Sequence, residues 1–142
     1  MPLLLVRHAS AGDRLAWEGD DRVRPLDKRG RRDAKELVAQ LAAFEIEAIL
    51  TSPFRRCVET VVPLAKARKL ELDVREELGE EGQWTDGMAL VRSLAARDVV
   101  ICGHGGLDSV VQSAPKWKKG VVFVLGPELE LLDELRPQRD GR

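Results

Sequence analysis

The 142-residue chain has few cysteines and no long apolar segment, features that would mark a disulfide-rich, zinc-binding or membrane protein. Its two cysteines, Cys57 and Cys102, are too few and too far apart for a disulfide framework or a zinc knuckle, and both are expected to be small buried core residues. No apolar run approaches the roughly 20 residues that cross a bilayer. The first residues also lack the basic segment of a secretory signal. We therefore expect a cytoplasmic protein with no membrane partner.

Neither sign of charge is in excess, because 23 Lys and Arg residues balance 24 Asp and Glu residues, which leaves a formal net charge of -1. Such a chain has no overall field to attract nucleic acid, so a phosphate ligand would need a local cluster of charge. Nothing in the sequence predicts a particular partner protein. The length fits one domain, expected over residues 1–136, with a flexible C-terminal tail over 137–142.

Short apolar runs alternate with amphipathic stretches along the chain. The pattern predicts a helix capped by Asp27, a second helix starting at Ser52 and Pro53, and a kink or break near Pro63. Further helices are predicted from Thr85 or Asp86 and after the glycines at 103–106. Strands are predicted at 3–6, 48–51, 70–74 and 98–102, followed by a hairpin over 121–125 and 129–135. This order favours a three-layer α/β/α sandwich with a mainly parallel central sheet and a C-terminal β-hairpin.

The chain contains only two histidines, and each follows an apolar run. Arg7 and His8 end the first predicted strand, and His104 lies in a glycine-rich turn after the fourth. Carboxyl ends of parallel strands meet at one edge of a sheet, so we expect both histidines there. Ser52 ends another strand at a predicted helix start, where free amides attract anions. The pattern predicts a phosphoryl-binding pocket without a metal ligand set.

Simpler interpretations exist for each of these residues. A histidine after a strand is often structural, and an arginine in a helix is often exposed. The glycines at 103–106 are similar to a dinucleotide-binding loop, but the third spaced glycine and the later acidic residue of that motif are absent. Lys116, Lys118 and Lys119 form a basic cluster that either steers an anionic substrate or lies at a solvated strand entrance.

Three motifs together resemble one known family. Residues 4–9 read Leu-Leu-Val-Arg-His-Ala, residues 52–60 read Ser-Pro-Phe-Arg-Arg-Cys-Val-Glu-Thr, and Gly103 precedes His104. This set resembles the histidine phosphatase superfamily, also called phosphoglycerate mutase-like. The Arg-Pro-Leu segment at 24–26 further resembles the small SixA-like phosphohistidine phosphatases and the phosphatase domain attached to some Nudix hydrolases.

The resemblance implies a role for several residues and no cofactor. His8 would be the nucleophile, Arg7 and Arg56 would hold the phosphoryl oxygens, and His104 would complete the charged pocket. Arg56 matches the family pattern better than Arg55, because the family's arginine directly precedes a small residue. Further expected substrate-binding residues are Arg24, Ser52 and Gly105.

The expected general acid is less well defined by the family pattern. Glu76 and Glu77 lie in the acidic segment where many members carry this residue, but neither falls in the usual frame of glutamate, three residues and glycine. An imidazole or phosphoanhydride leaving group needs less proton assistance than an alkoxide. We therefore expect a metal-independent phosphatase acting on a phosphohistidine protein or a phosphoanhydride or nucleotide. The alternatives are a phosphoglycerate mutase-like phosphoryl transferase and a non-catalytic, regulatory phosphate-binding module.

Overall fold

The computed structural model describes residues 2–80 and 84–138 of the chain. Over these residues, six strands form one sheet in the order β3-β2-β4-β1-β5-β6. The first four strands in this order run parallel, and β5 is antiparallel to both β1 and β6. The mainly parallel sheet and the closing hairpin are therefore confirmed. The strands are β1 (Leu3–Arg7), β2 (Ala48–Thr51), β3 (Leu72–Val74), β4 (Val99–Gly103), β5 (Val122–Leu125) and β6 (Leu131–Leu135).

Helices cover both faces of the sheet and complete the predicted three layers. Helices α1 (Lys28–Gln40) and α2 (Arg55–Arg68) pack together on one face. Helix α3 (Trp84–Ser93) covers the other face together with short 3-10 turns. Within the part of the chain that the structure describes, no helix has the length and apolar character of a membrane span.

Alternating side chains of each strand fill the two halves of the core, as the period of a strand requires. Leu4 and Val6 of β1 pack toward α1 and α2, whereas Leu3 and Leu5 pack toward α3. Cys57 and Cys102 are free thiols, buried as expected in the half of the core between the sheet and helices α1 and α2. Burial on both faces explains why β1 and β4 are apolar throughout and carry polar residues only at their ends.

Helix α2 departs from its prediction at two points. It begins at Arg55, after Ser52 and Pro53, so Ser52 does not cap it and Pro53 is not its first residue. It also continues through Pro63 without a break. Proline inside a helix costs about 3 kcal/mol. Burial of Leu64 contributes about 1.5–3 kcal/mol, and Val61 and Ala65 add to it, so packing against the sheet offsets that cost.

The segment after β4 forms a single 3-10 turn, Leu107–Val110, instead of the predicted helix. Val111 at its end is already extended, so Leu107 and Val111 reach the core without a longer helix. Strand β3 begins at Leu72 instead of residue 70. Ala42 continues the apolar spacing of α1 along the sequence, but it is exposed because the helix ends at Gln40.

The start of α1 is tied to the loop that follows β1. The Asp27 side chain accepts hydrogen bonds from Gly30 N (2.8 Å), Ser10 Oγ (2.6 Å) and Gly12 N (3.0 Å). A Cβ atom at Gly30 would lie 2.0 Å from the Ser10 carbonyl oxygen, so only glycine permits this approach. Asp27 therefore caps the helix as predicted and also fixes the loop beside His8.

Part of the predicted tail is in contact with the domain. Pro137 is buried, and Gln138 N donates a hydrogen bond of 2.8 Å to Glu36 Oε2. The other residues of the predicted tail, 139–142, lie outside the described residues.

Candidate active site

The two histidines lie side by side at the carboxyl edge of the sheet. Strands β1 and β4 are neighbours in a register that pairs Arg7 with Gly103, so His8 and His104 follow at the same level. Their ring centroids are 5.4 Å apart in an edge-to-face arrangement. The expectation that these strand ends converge is therefore met by the pairing of β1 with β4.

A main-chain hydrogen bond determines the tautomer of His8. Its Nδ1 lies 2.9 Å from the Ala9 carbonyl oxygen, and because a carbonyl only accepts, Nδ1 carries the proton. Burial, together with the charges of Arg56 and Arg7, lowers the pKa of His8 to about 3 against an opposing contribution from the Ala9 hydrogen bond. At neutral pH the ring is uncharged and Nε2 has a free lone pair. This is the state that a nucleophilic imidazole needs.

Thr60 holds the peptide that orients His8. Its Oγ1 accepts a hydrogen bond of 2.9 Å from Ala9 N and donates one of 2.7 Å to the Arg56 carbonyl oxygen. Both bonds are buried, so loss of either would leave an unpaired polar group inside the protein. Thr60 thus links helix α2 to Ala9, whose carbonyl oxygen accepts the hydrogen bond from His8.

His104 is fully buried between Ser52, Cys57 and Phe54. Its Nε2 lies 2.9 Å from Ser52 Oγ and 3.6 Å from Cys57 Sγ, and the Phe54 ring packs edge-on at 4.8 Å. Burial lowers the pKa of His104 to about 3, assisted by His8, Arg56 and Arg7. The hydroxyl of Ser52, expected to bind substrate, instead orients this ring.

Arg56 and Arg55 occupy opposite environments in the first turn of α2. The Arg56 side chain is 1% exposed, whereas that of Arg55 is 53% exposed and forms a 2.8 Å ion pair with Glu59. Arg56 Nη2 lies 2.8 Å from Glu80 Oε1 and 3.1 Å from Asp21 Oδ2, and Nη1 donates to the Asp21 carbonyl oxygen. The guanidinium group is held in the pocket by acidic partners.

The guanidinium of Arg7 is fixed between the main chain and Gly105. Arg7 Nη1 donates a 2.7 Å hydrogen bond to the Trp117 carbonyl oxygen. A Cβ atom at Gly105 would lie 3.2 Å from Arg7 Cζ, so a larger residue would press on the guanidinium. Gly105 therefore lies against Arg7, where its small size preserves the position of that side chain.

Arg24 reaches the pocket from the long loop between β1 and α1. It is buried, and its guanidinium donates to the Ala11 carbonyl oxygen and, through Nε at 2.9 Å, to Asp21 Oδ1. Burial of Asp21 raises its pKa, but the Arg24 hydrogen bond and the nearby arginine charges outweigh this, so the net shift is downward. The Asp21 carboxylate thus joins Arg24 to Arg56.

These residues surround a cavity of about 390 Å³. Among the described residues, three buried donors or ring nitrogens of the site have no hydrogen-bond partner: Arg7 Nε, Arg56 Nε and His104 Nδ1. Tetrahedral oxyanions supply acceptors for such groups. The cavity is lined by Arg7, His8, Gly12, Asp13, Arg14, Arg24, Arg56, Glu80 and Lys119.

Of the acidic residues between 76 and 80, the structure brings Glu80 to the cavity and not Glu76 or Glu77. Glu80 Oε1 lies 2.6 Å from Arg14 Nη2, and Oε2 lies 4.0 Å from His104 Nδ1. Glu76 is exposed beside Arg22 at 3.8 Å, and Glu77 lies 3.6 Å from Arg75. The carboxylates of Glu76 and Glu77, expected as candidates for the general acid, lie at the surface in the 3-10 turn Glu76–Leu78.

Two other site residues were not selected from the sequence. Asp21 lies in an acidic loop where no spacing distinguishes it from its neighbours, and Lys119 belongs to a cluster with a plausible surface role. Within residues 2–80 and 84–138, no group of three or more His, Cys, Asp or Glu side chains is arranged to hold a metal ion.

Comparisons with known proteins identify the family of the chain. A family model described as the histidine phosphatase superfamily (branch 1) matches residues 3–96. The 8-oxo-(d)GTP phosphatase of Mycolicibacterium smegmatis is 42% identical over 108 residues, which cover 72% of this chain and 34% of that protein. The chain thus spans about a third of that relative's length.

Solved structures share the fold at lower identity. The protein histidine phosphatase SixA complexed with tungstate has a TM-score of 0.79 at 21% identity, covering 96% of this chain and 97% of SixA. A mycobacterial glucosyl-3-phosphoglycerate phosphatase in complex with VO3 has a TM-score of 0.70 at 17% identity, covering 88% of this chain and 90% of that one. From the matched family model and this fold, the chain belongs to the histidine phosphatase superfamily.

Proposed function

We propose that this chain is a metal-independent phosphatase that hydrolyses phosphoryl groups through a phosphohistidine on His8. The observation that carries the proposal is the hydrogen bond from His8 Nδ1 to the Ala9 carbonyl oxygen, which leaves Nε2 unprotonated beside two guanidinium groups. A module that only binds phosphate has no use for an oriented, uncharged imidazole. This observation favours the enzyme over the non-catalytic alternative.

In the first step, His8 Nε2 attacks phosphorus. The N–P bond forms while the bond from phosphorus to the leaving group breaks, and the electron pair leaves with that group. Charge spreads over the equatorial phosphoryl oxygens in such a transition state, so fixed donors matter more than covalent assistance. Arg7, Arg56 and Arg24 supply those donors, and the arginine fork matches phosphoryl oxygens. His104 lies beside the nucleophile and completes the pocket.

In the second step, water attacks the phosphohistidine. The new O–P bond forms, the N–P bond breaks, and the imidazole recovers its lone pair. We propose that Glu80 accepts the water proton, because its carboxylate lies between Arg56 and Arg14 at the cavity and near His104. In the first step, the same carboxyl group in its protonated form would donate a proton to a leaving oxygen. This is the role expected above for Glu76 or Glu77.

In the unliganded protein, two carboxylates of the same chain balance the positive charge of Arg56. Asp21 and Glu80 supply the carboxylate oxygens that contact it. A bound phosphoryl group competes for the same guanidinium nitrogens, and its charge favours release of one carboxylate. Substrate binding would therefore free Glu80 for proton transfer.

The proposed substrate is a phosphohistidine protein or a phosphoanhydride such as a nucleotide. SixA is named as a protein histidine phosphatase, and the relative from Mycolicibacterium smegmatis is named as an 8-oxo-(d)GTP phosphatase. Both kinds of leaving group depart without strong acid assistance. Phosphoglycerate offers a direct comparison, since a mutase would return an isomer and a phosphatase would release inorganic phosphate.

Rapid-quench labelling tests the mechanism. Wild type is mixed with a γ-³²P-labelled nucleoside triphosphate or a ³²P-phosphohistidine protein in buffer containing EDTA. We expect acid-labile, base-stable label on wild type and on the control variant Arg55→Ala, and none on His8→Ala. Turnover by His8→Ala at the wild-type rate, or loss of all activity in EDTA, would contradict the proposal.

A further inference from the structure

A second cavity of about 400 Å³ adjoins the catalytic cavity. Arg7 and Lys119 line both cavities, so the two cavities meet at these side chains. We call the second cavity the basic shelf. Its lining residues are Arg7, Ser10, Arg29, Lys116, Lys118 and Lys119.

The lysine side of the basic shelf is anchored to the nucleophile's strand. Trp117 is buried between the lysines, stacks on Phe123 at 5.7 Å, and donates from Nε1 to the Val121 carbonyl oxygen. Its own carbonyl receives the Arg7 hydrogen bond, and Gly120 N donates to the carbonyl oxygens of Arg7 and His8. The main chain that carries the exposed lysines beside Trp117 is thus anchored to the strand that ends at Arg7 and His8.

The opposite side of the basic shelf comes from the first turn of α1. Arg29 is exposed there, next to the glycine that packs on the Ser10 carbonyl oxygen. The Asp27 cap binds Ser10 Oγ and so joins this turn to the loop after His8. Both sides of the basic shelf are therefore built on the elements that carry the catalytic residues.

The basic shelf carries concentrated positive charge, since five of its six lining residues are cationic. Burial lowers the pKa of Lys119, and the charges of Arg7, Arg24 and Arg56 lower it further. Placing an anion between these cations would relieve their mutual repulsion. A single phosphoryl group at His8 lies beside only Arg7 and Lys119 among these cations. The remaining cations are available to a second anionic group of the same ligand.

We propose that the basic shelf binds the second phosphate of a phosphoanhydride substrate whose scissile phosphoryl group lies at His8. This inference rests on the proposed function of the catalytic cavity. In the reaction, the bridging P–O bond breaks and its electron pair stays on the departing phosphate. The shelf cations stabilise that charge, so the leaving group needs no proton from Glu80. A phosphohistidine leaving group carries no such charge and makes no use of the shelf.

Substrate comparison tests this assignment. The kcat/KM for inorganic tripolyphosphate and for p-nitrophenyl phosphate are measured on wild type, Arg29→Ala, Lys118→Ala and the double variant. Both side chains are exposed, so their removal leaves the core intact. Lys66→Ala, an exposed lysine on α2 away from both cavities, is the matched control. Loss of each charge-assisted contact is expected to lower the tripolyphosphate to p-nitrophenyl phosphate ratio of kcat/KM by about tenfold, through KM for the bound phosphate and through kcat for the departing one.

The outcomes separate this inference from the proposed function. Wild type that prefers tripolyphosphate, with a ratio that falls in the shelf variants and not in Lys66→Ala, supports the inference. The inference is overturned by equal losses on both substrates, by an unchanged ratio, or by wild type that hydrolyses p-nitrophenyl phosphate or a phosphohistidine protein but not tripolyphosphate. His8 labelling would still stand in those cases. If neither a ³²P-labelled phosphoanhydride nor the ³²P-phosphohistidine protein labels His8, the proposed function itself fails.

Discussion

Lowering the pH from 7 to 5 should destabilise the folded chain through its two histidines. Burial lowers the pKa of His8 and of His104 to about 3, with neighbouring arginines contributing to both shifts. In the unfolded chain a histidine has a pKa of about 6.5. Between these values the unfolded state binds protons that the folded state does not. Stability is therefore complete above about pH 6.5 and is lost as the pH falls toward 3.

The size of the effect follows from linkage. A histidine that stays neutral in the folded protein lowers the free energy of unfolding by about 2 kcal/mol between pH 7 and pH 5, so the two histidines together lower it by about 4 kcal/mol. Domains of this size are stable by roughly 5–15 kcal/mol, so the loss is large. Hydrogen bonds from Ser10, Gly30 and Gly12 lower the pKa of Asp27 despite its partial burial, so this carboxyl contributes only at more acidic pH.

Urea unfolding followed by tryptophan fluorescence measures this loss, since Trp117 is buried. Free energies of unfolding are compared at pH 7 and pH 5 for wild type and for His8→Gln, which has one titrating ring fewer. We expect a fall of about 4 kcal/mol for wild type and about 2 kcal/mol for the variant. A wild-type loss below about 1 kcal/mol, or the same loss in both proteins, would refute the reasoning.

Two further predictions concern the catalytic cavity. Arg56→Ala should reduce kcat/KM for p-nitrophenyl phosphate by about 10²–10³-fold because a donor to the transition-state charge is lost, whereas Arg55→Ala should change it less than about twofold. Arg56→Lys keeps the positive charge but loses the two-pronged guanidinium, so its kcat/KM should lie between those of Arg56→Ala and Arg55→Ala. Equal losses in the two alanine variants would contradict the assignment of Arg56, and not Arg55, to the catalytic cavity. Glu80→Gln should slow hydrolysis of the phosphohistidine by about 10²-fold, so that ³²P-labelled His8 accumulates relative to wild type. A Glu80→Gln variant that turns over without accumulating label would exclude Glu80 from this step, and Glu77→Gln is the matched control.

Several features of the site follow from local sequence alone. The apolar runs at 3–6 and 99–102 require burial on both faces, and their polar ends therefore reach the sheet edge together once the strands are adjacent. The preference for Arg56 over Arg55 came from the resemblance to the family, whose arginine directly precedes a small residue. Helix geometry adds only that two neighbouring residues do not share one face. Asp27 as a cap depends only on its own side chain and the next turn.

Other features depended on which segments the fold brings into contact. The sequence offered several carboxylates at 76–81, and the 3-10 turn after β3 decided that Glu80 meets Arg56 while Glu76 and Glu77 face outward. Ser52 was predicted to start the second helix, but its hydroxyl contacts His104, 52 residues away, and the helix begins at Arg55. Long-range partners of this kind leave no local pattern.

The sequence by itself determined the α/β order of elements and the residues at the ends of β1 and β4, and it is the source of the proposal that they bind a phosphoryl group. These depend on hydrophobic period and residue type, which are properties of short segments. The tertiary structure alone decided which carboxylates contact Arg56, how each imidazole is oriented, and that Lys116–Lys119 lie beside Arg7. Those contacts join residues far apart in the chain, and their free energy depends on burial and distance, which only packing defines.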